Sequence, residues 1–163
     1  MSRSFRRLGA LGACAAAAVV LSGPVPASAA VDLDFTLYAK EVASQQSGPT
    51  GQPPETGAVF TFADDIYRTK GGDVVGRDGV TCTVVRTGSS GNDLLCVGNV
   101  VLNGGPGGQL TLQALTSADP SNMQTAAFDA AVTGGTGDFK DVGGYVRLTA
   151  DGDYERMEFH LNR

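Results

Sequence analysis

The sequence is poor in most of the groups from which catalytic and metal centres are built. It holds one histidine, His160, close to the C-terminus, which excludes a His-rich metal site and reads as a surface residue. No Gly-x-Ser-x-Gly elbow, Cys-His pair, zinc-type spacing or EF-hand loop occurs, so hydrolase and metalloenzyme readings lack support and neither cofactor nor metal is expected. No segment after Val31 shows a helical period. Positive charge is scarce: Lys and Arg number 12 against 17 Asp and Glu, and Arg3, Arg6 and Arg7 fall in the first thirty residues. Removing those three leaves nine bases against seventeen acids in residues 30 to 163, a net charge of −8. Such a surface repels phosphate backbones and anionic lipid, which disfavours nucleic acid or membrane as partner.

What is present falls into two parts. Residues 1 to 29 read as a cleavable signal peptide: the three arginines, an apolar stretch from Leu8 to Leu21, a break at Pro24 and Pro26, and the small residues Ala27-Ser28-Ala29. Cleavage after Ala29 is preferred, and after Ala30 nearly as good. About fourteen apolar residues fall short of the roughly 20 that span a bilayer, which argues against a retained anchor. Leu11-Gly12-Ala13-Cys14 resembles a lipoprotein site, but the apolar run continues past Cys14. Residues 30 to 163 suffice for one domain, expected to be secreted. Cys82 and Cys96 remain there as a pair flanking the turn-rich Gly88-Ser89-Ser90-Gly91-Asn92. Placed opposite each other in a hairpin they form a disulfide; two buried free thiols are the alternative.

Eight β-type runs organise the domain, each bounded by Gly, Pro, Asn or Asp: Asp32 to Ser44, Ala58 to Tyr67, Val74 to Val85, Leu94 to Leu102, Gln109 to Leu115, Met123 to Thr133, Gly143 to Ala150 and Tyr154 to Leu161. Mostly short links between successive runs imply an antiparallel meander, which most naturally closes into an all-β, calycin-like eight-stranded barrel; a sandwich is the alternative. Alternation assigns one face of each run to the interior. Leu33, Phe35, Leu37 and Ala39 share a parity with Glu41, and Phe60, Phe62 and Ile66 share one with Asp64. The later runs place Val80, Cys82 and Val84, then Leu94, Cys96 and Val100, then Ala126, Phe128, Ala130 and Val132 on one side.

Two carboxylates thus interrupt apolar faces. Glu41 either enters a cavity, where burial or pairing would tune it for acid/base work, or reaches water through a strand end or bulge. Asp64 and Asp65 are adjacent, so either parity turns one inward; alternatively Asp64 caps a strand end or pairs with Arg68 or Arg77. Gly134-Gly135-Thr136-Gly137 lacks the Lys and following helix of a phosphate loop and reads as a tight turn requiring positive φ. Tyr38, Tyr67, Tyr145 and Tyr154 either stack on a ligand or cover the sheet.

Specific residues resemble a known family. Ala131 to Phe139, carrying Gly-Gly-Thr-Gly, and Gly143-Gly144-Tyr145-Val146 resemble a hairpin of the allene oxide cyclase and dirigent superfamily. Phe62-Ala63-Asp64-Asp65 and Val75-Gly76-Arg77-Asp78-Gly79 resemble the dirigent Asp pair and Val-Gly-Arg-x-x-Gly turn, and Leu37-Tyr38-Ala39-Lys40-Glu41 resembles the first cyclase strand. The resemblance spans about Leu33 to Leu161. It implies an eight-stranded barrel, trimeric in plant relatives, whose apolar lumen takes a hydrophobic or phenolic small molecule and guides its cyclisation or isomerisation. Glu41 matches the lumen glutamate of the cyclases, whereas Ala43 and Asp64 stand where asparagines are expected. The dirigent arginine is replaced at Val142-Gly143, leaving Arg147 as the nearest base. Glu41 and Asp64 are accordingly the expected catalytic groups, with Asp65, Tyr67, Asn99, Tyr145 and Arg147 as ligand contacts. A non-catalytic carrier of a hydrophobic molecule and a solid, fully packed module are the other readings.

Overall fold

The structure, a computed structural model, describes residues 32–48, 52–121 and 123–163; the signal-peptide assignment for residues 1 to 29 lies outside the described residues. Eight strands follow in chain order: β1 (Leu33–Gln46), β2 (Val59–Tyr67), β3 (Val74–Arg86), β4 (Asn92–Leu102), β5 (Gly108–Ala118), β6 (Phe128–Gly135), β7 (Gly143–Asp151) and β8 (Tyr154–Asn162). Each pairs antiparallel with the next, and β8 returns to β1, so the sheet is a closed barrel and not a sandwich. Closure removes both sheet edges, which would otherwise present unpaired backbone groups.

The expected runs and the strands agree in order and differ at their ends. The largest difference is in β6, expected from Met123 but beginning at Phe128. The chain turns first: the Asp119 carboxylate accepts the Ser121 N–H at 2.7 Å, the Asp119 carbonyl accepts the Met123 N–H at 2.8 Å, and Met123 takes φ 58. An aspartate bonding to backbone two residues on competes with strand pairing. Ala126, expected on the apolar face, is consequently exposed.

Period-2 alternation divides the barrel into an inner and an outer surface. One inner cluster, including Leu37, Ile66, Val100, Leu110, Val146 and Phe159, fills the end where β1 begins and β8 finishes. Phe139 plugs that end, fully buried, with Phe35 between it and Phe159 at centroid distances of 6.1 and 4.8 Å. The Gly134 to Gly137 segment delivers it there: Gly137 takes φ 62, and a Cβ on it would meet the Gly107 carbonyl at 2.6 Å. A second inner cluster of Phe60, Val84, Leu94 and Ala118 surrounds Cys82 and Cys96. Those cysteines face each other across β3 and β4 with Cα atoms 4.0 Å apart and are joined in a disulfide.

Replacing Cys82 and Cys96 together by Ala should lower the free energy of unfolding by about 3 kcal/mol, the chain-entropy value for a loop of roughly fifteen residues. Urea titration of the two proteins measures it. An unchanged midpoint would mean that the cross-link does not constrain the unfolded chain.

A carboxylate-lined cavity inside the barrel

Between the two apolar clusters the barrel is hollow. A cavity of about 570 Å³ has walls from Ala39, Phe62, Val80, Leu94, Phe128 and Leu148, with the disulfide at one side. Its mouth lies between the Met123 to Thr125 segment and the β7–β8 turn at Gly152 and Asp153. That volume falls within the range of about 300–1,000 Å³ typical of small-molecule sites.

Strand register brings the acids together. Glu41 on β1 stands opposite Asp64 on β2, and Asp64 stands opposite Asp78 on β3, so three neighbouring strands carry carboxylates in one transverse row. Glu155 on β8 joins them from the other flank, beside Ala39, whose small side chain leaves room. Glu41, Asp64 and Glu155 line the cavity, while Asp78 is buried beside it at 9% exposure. A β-bulge between Glu41 and Ala43 turns Val42 outward to 61% exposure. The bulge also places Ser44 three residues on where its hydroxyl donates to Glu41 Oε1 at 2.6 Å. Glu41 thus combines both readings open from sequence: it is solvent-exposed at a bulge and it forms part of the cavity wall.

Burial without counter-charge makes Asp64, Asp78 and Glu155 hold their protons. Burial, followed by the charge of Asp64 and a hydrogen bond with it, pushes Asp78 up to about 8. Asp64 is also raised, chiefly by burial; a hydrogen bond from Asp78 opposes the rise, while the charges of Glu41 and Asp65 add to it. The Asp64 N–H donates to Asp78 Oδ1 at 3.2 Å, which holds the pair in register. Glu155 is pushed up to about 7, by burial first and then by Asp64. The site therefore has a proton-retaining pair at its wall and a hydroxyl-supported carboxyl, Glu41, facing solvent.

The remaining expected contacts lie outside. Asp65 sits between Lys40 and Arg77 in the adjacent, outward-facing row. Asn99 accepts from Gln109 Nε2 at 2.8 Å on the outer surface, and Arg147 pairs with Asp129 at 3.0 Å. Tyr145 stacks on His160, which bonds Asp34. Tyr67 packs edge-on against Tyr154, which also meets Tyr38 and reaches the mouth of the cavity. Two acids of the site, Asp78 and Glu155, are absent from the sequence-based set. Each has the signal that marked Glu41: Asp78 shares parity with Val80, Cys82 and Val84, and Glu155 with Met157, Phe159 and Leu161.

No protein-family model matches the chain, and no curated protein matches it. Solved structures do. A pyocyanin demethylase is 25% identical, with a TM-score of 0.64 over 79% of this chain and 99% of that one. An exo-specific intermolecular Diels-Alderase is 11% identical, with a TM-score of 0.62 over 83% of this chain and all of that one. A pterocarpan synthase dirigent protein is 18% identical, with a TM-score of 0.55 over 82% and 88% of the two chains. The barrel is thus of the kind shared by dirigent proteins and related cyclase-like barrels, consistent with the allene oxide cyclase and dirigent resemblance.

The raised carboxyls set a pH dependence whose sign is definite. A carboxyl whose folded pKa lies above its unfolded value, near 4, stabilises fully below about pH 4 and loses that contribution as pH rises through the folded value. For Asp78 and Glu155 the loss extends to pH values of about 8 and about 7. Thermal melts should show a higher Tm at about pH 5 than at about pH 9. Asp78→Asn keeps the acceptor for the Asp64 N–H and should raise Tm at the alkaline end; equal alkaline melting points would show that Asp78 carries no such penalty.

Proposed function

We propose that the protein is an exported small-molecule-binding barrel that confines a hydrophobic or phenolic reactive intermediate and promotes its cyclisation or isomerisation. One observation carries this reading: Glu41 and Asp64 face each other across β1 and β2 in an apolar-walled cavity, in different environments. A cyclisation or isomerisation that shifts a proton needs a folded substrate, a proton removed at one position and a proton supplied at another. Confinement provides the first, by lowering the entropy lost on reaching a reactive conformer. Two carboxyls in unlike surroundings provide the others. Glu41, solvated and supported by Ser44, accepts; the Asp64–Asp78 pair, which retains a proton, donates. Structural likeness to a Diels-Alderase, a dirigent protein and a demethylase supports a small-molecule site in this architecture. Export is supported by the disulfide and by the signal-type N-terminus.

Native mass spectrometry of the exported protein should reveal a bound small molecule or its rearranged product. With that molecule as substrate, Glu41→Gln should reduce turnover by about a hundredfold or more while leaving Tm unchanged. Unaltered turnover would remove Glu41 from the chemistry. A bound molecule recovered unchanged after prolonged incubation would identify a carrier instead.

A further inference from the structure

The carboxyl row is not the only chemistry in the cavity wall. Cys82 stands four residues beyond Asp78 on β3 and on the same face, about 13 Å along the strand at roughly 3.3 Å per residue. Cys96 lies opposite it on β4. Both line the cavity, yet only 6% and 9% of their surfaces are exposed, so the sulfur-bearing wall meets a bound molecule and little bulk water. Val80 and Leu94 flank this stretch of wall. Among the described residues no Lys, Arg or His lines the cavity, and its carboxyls and hydroxyls are weak nucleophiles toward an unsaturated carbon. Thiols in the same place are strong ones. The acid–base row that the proposed chemistry uses lies at a different level of the barrel and leaves the cysteines without a role beyond cross-linking.

Resting on the reading of the cavity as the enclosure of a reactive molecule, we propose that Cys82 and Cys96 in their thiol form are a covalent capture site for α,β-unsaturated carbonyl compounds, and that the disulfide silences it. Capture is a conjugate addition. Sulfur bonds to the β-carbon, the C=C electron pair moves to the α-carbon, and the proton released by sulfur is delivered there through water. No oxidant or reductant is consumed. A polar cyclisation joins an electrophilic carbon of a molecule to that molecule's own nucleophilic atom, and a thiol at the wall competes for the same carbon. Burial slows thiol attack, but a molecule held in about 570 Å³ meets the sulfur at an effective concentration far above its value in solution. Disulfide formation removes the competitor: the two thiols surrender two protons and two electrons to a thiol–disulfide oxidant of the oxidising compartment. The barrel is a trap while the chain carries thiols and can release its product once they are joined.

The test uses three probes: N-cyclohexylmaleimide, an apolar electrophile; 3-maleimidopropionate, the same reacting ring bearing a carboxylate; and N-cyclohexylsuccinimide, a saturated counterpart that cannot react. Exported protein is reduced with a phosphine, freed of it and mixed with each maleimide, and adducts are mapped by peptide mass spectrometry. With rates normalised to those on glutathione, the apolar maleimide should label Cys82 or Cys96 at least about tenfold faster than the anionic one, and the ratio should fall to about one in urea. Excess N-cyclohexylsuccinimide should slow labelling, as should Val80→Trp, which fills the cavity; the oxidised protein should take no adduct. If the reduced chain unfolds, the series is repeated in sodium sulfate, which strengthens apolar burial, and with Cys82→Val, which keeps the wall apolar and leaves Cys96 free. Equal normalised rates on the folded protein, or labelling undiminished by Val80→Trp, overturns the proposal. Absence of adduct on the folded, reduced protein, with N-cyclohexylsuccinimide still binding the oxidised form by ligand-observed NMR, overturns capture and leaves the small-molecule cavity intact. Neither adduct nor binding overturns both.

Discussion

The pairing of β1 with β8 is the contact on which the rest of the structure depends. Register from Leu33 opposite Leu161 to Ala39 opposite Glu155 joins the two ends of the domain. Without it the meander is an open, curved sheet with two bare edges and no interior. Leu37, Ala39, Met157, Phe159 and Leu161 are buried because that seam is shut. The same seam places Glu155 beside the carboxylates of β1 and β2. Apolar burial along the seam, including Phe35 stacked on Phe159, therefore positions the acids as well as stabilising the fold.

A hollow barrel forgoes contacts that a filled one would make, since side chains lining a void lose attraction on one side. Here the space is braced from both ends. Phe139 and its neighbours form a solid floor, and the disulfide with Phe60, Val84 and Leu94 stiffens the opposite wall. Between them lie Asp64, Asp78 and Glu155, which stay protonated to higher pH because they are buried without bases. Stability is spent on a polar interior that packing alone would fill with aliphatic side chains.

Much of this architecture is legible in one dimension. Turn residues at regular intervals and apolar parity within each run identify eight strands, their order and the inward face of each. The same parity places Glu41 and Asp64 inside. Asp78 and Glu155 obey the rule equally, but each stands next to charged or glycine-rich residues, Arg77 and Gly79 or Arg156, that blur the apolar stripe. Asp65, Asn99, Tyr145 and Arg147 stand one residue out of phase and face solvent or outer partners. Their residue types suit ligand binding, yet a one-residue step in a strand is a change of side.

Local patterning determined which residues face inward, because alternation is a property of each strand's own backbone and needs no partner. The disulfide pairing belongs here too, since a short hairpin leaves Cys82 and Cys96 little choice of register. Tertiary structure alone decided that Glu41, Asp64 and Asp78 share one row, that the bulge after Glu41 brings Ser44 to its side, and that Glu155 completes the group from the far end of the chain. Those relations depend on how far each strand slides against its neighbour and on where the barrel closes. Cooperative packing of all eight strands sets those offsets, and no single segment encodes them.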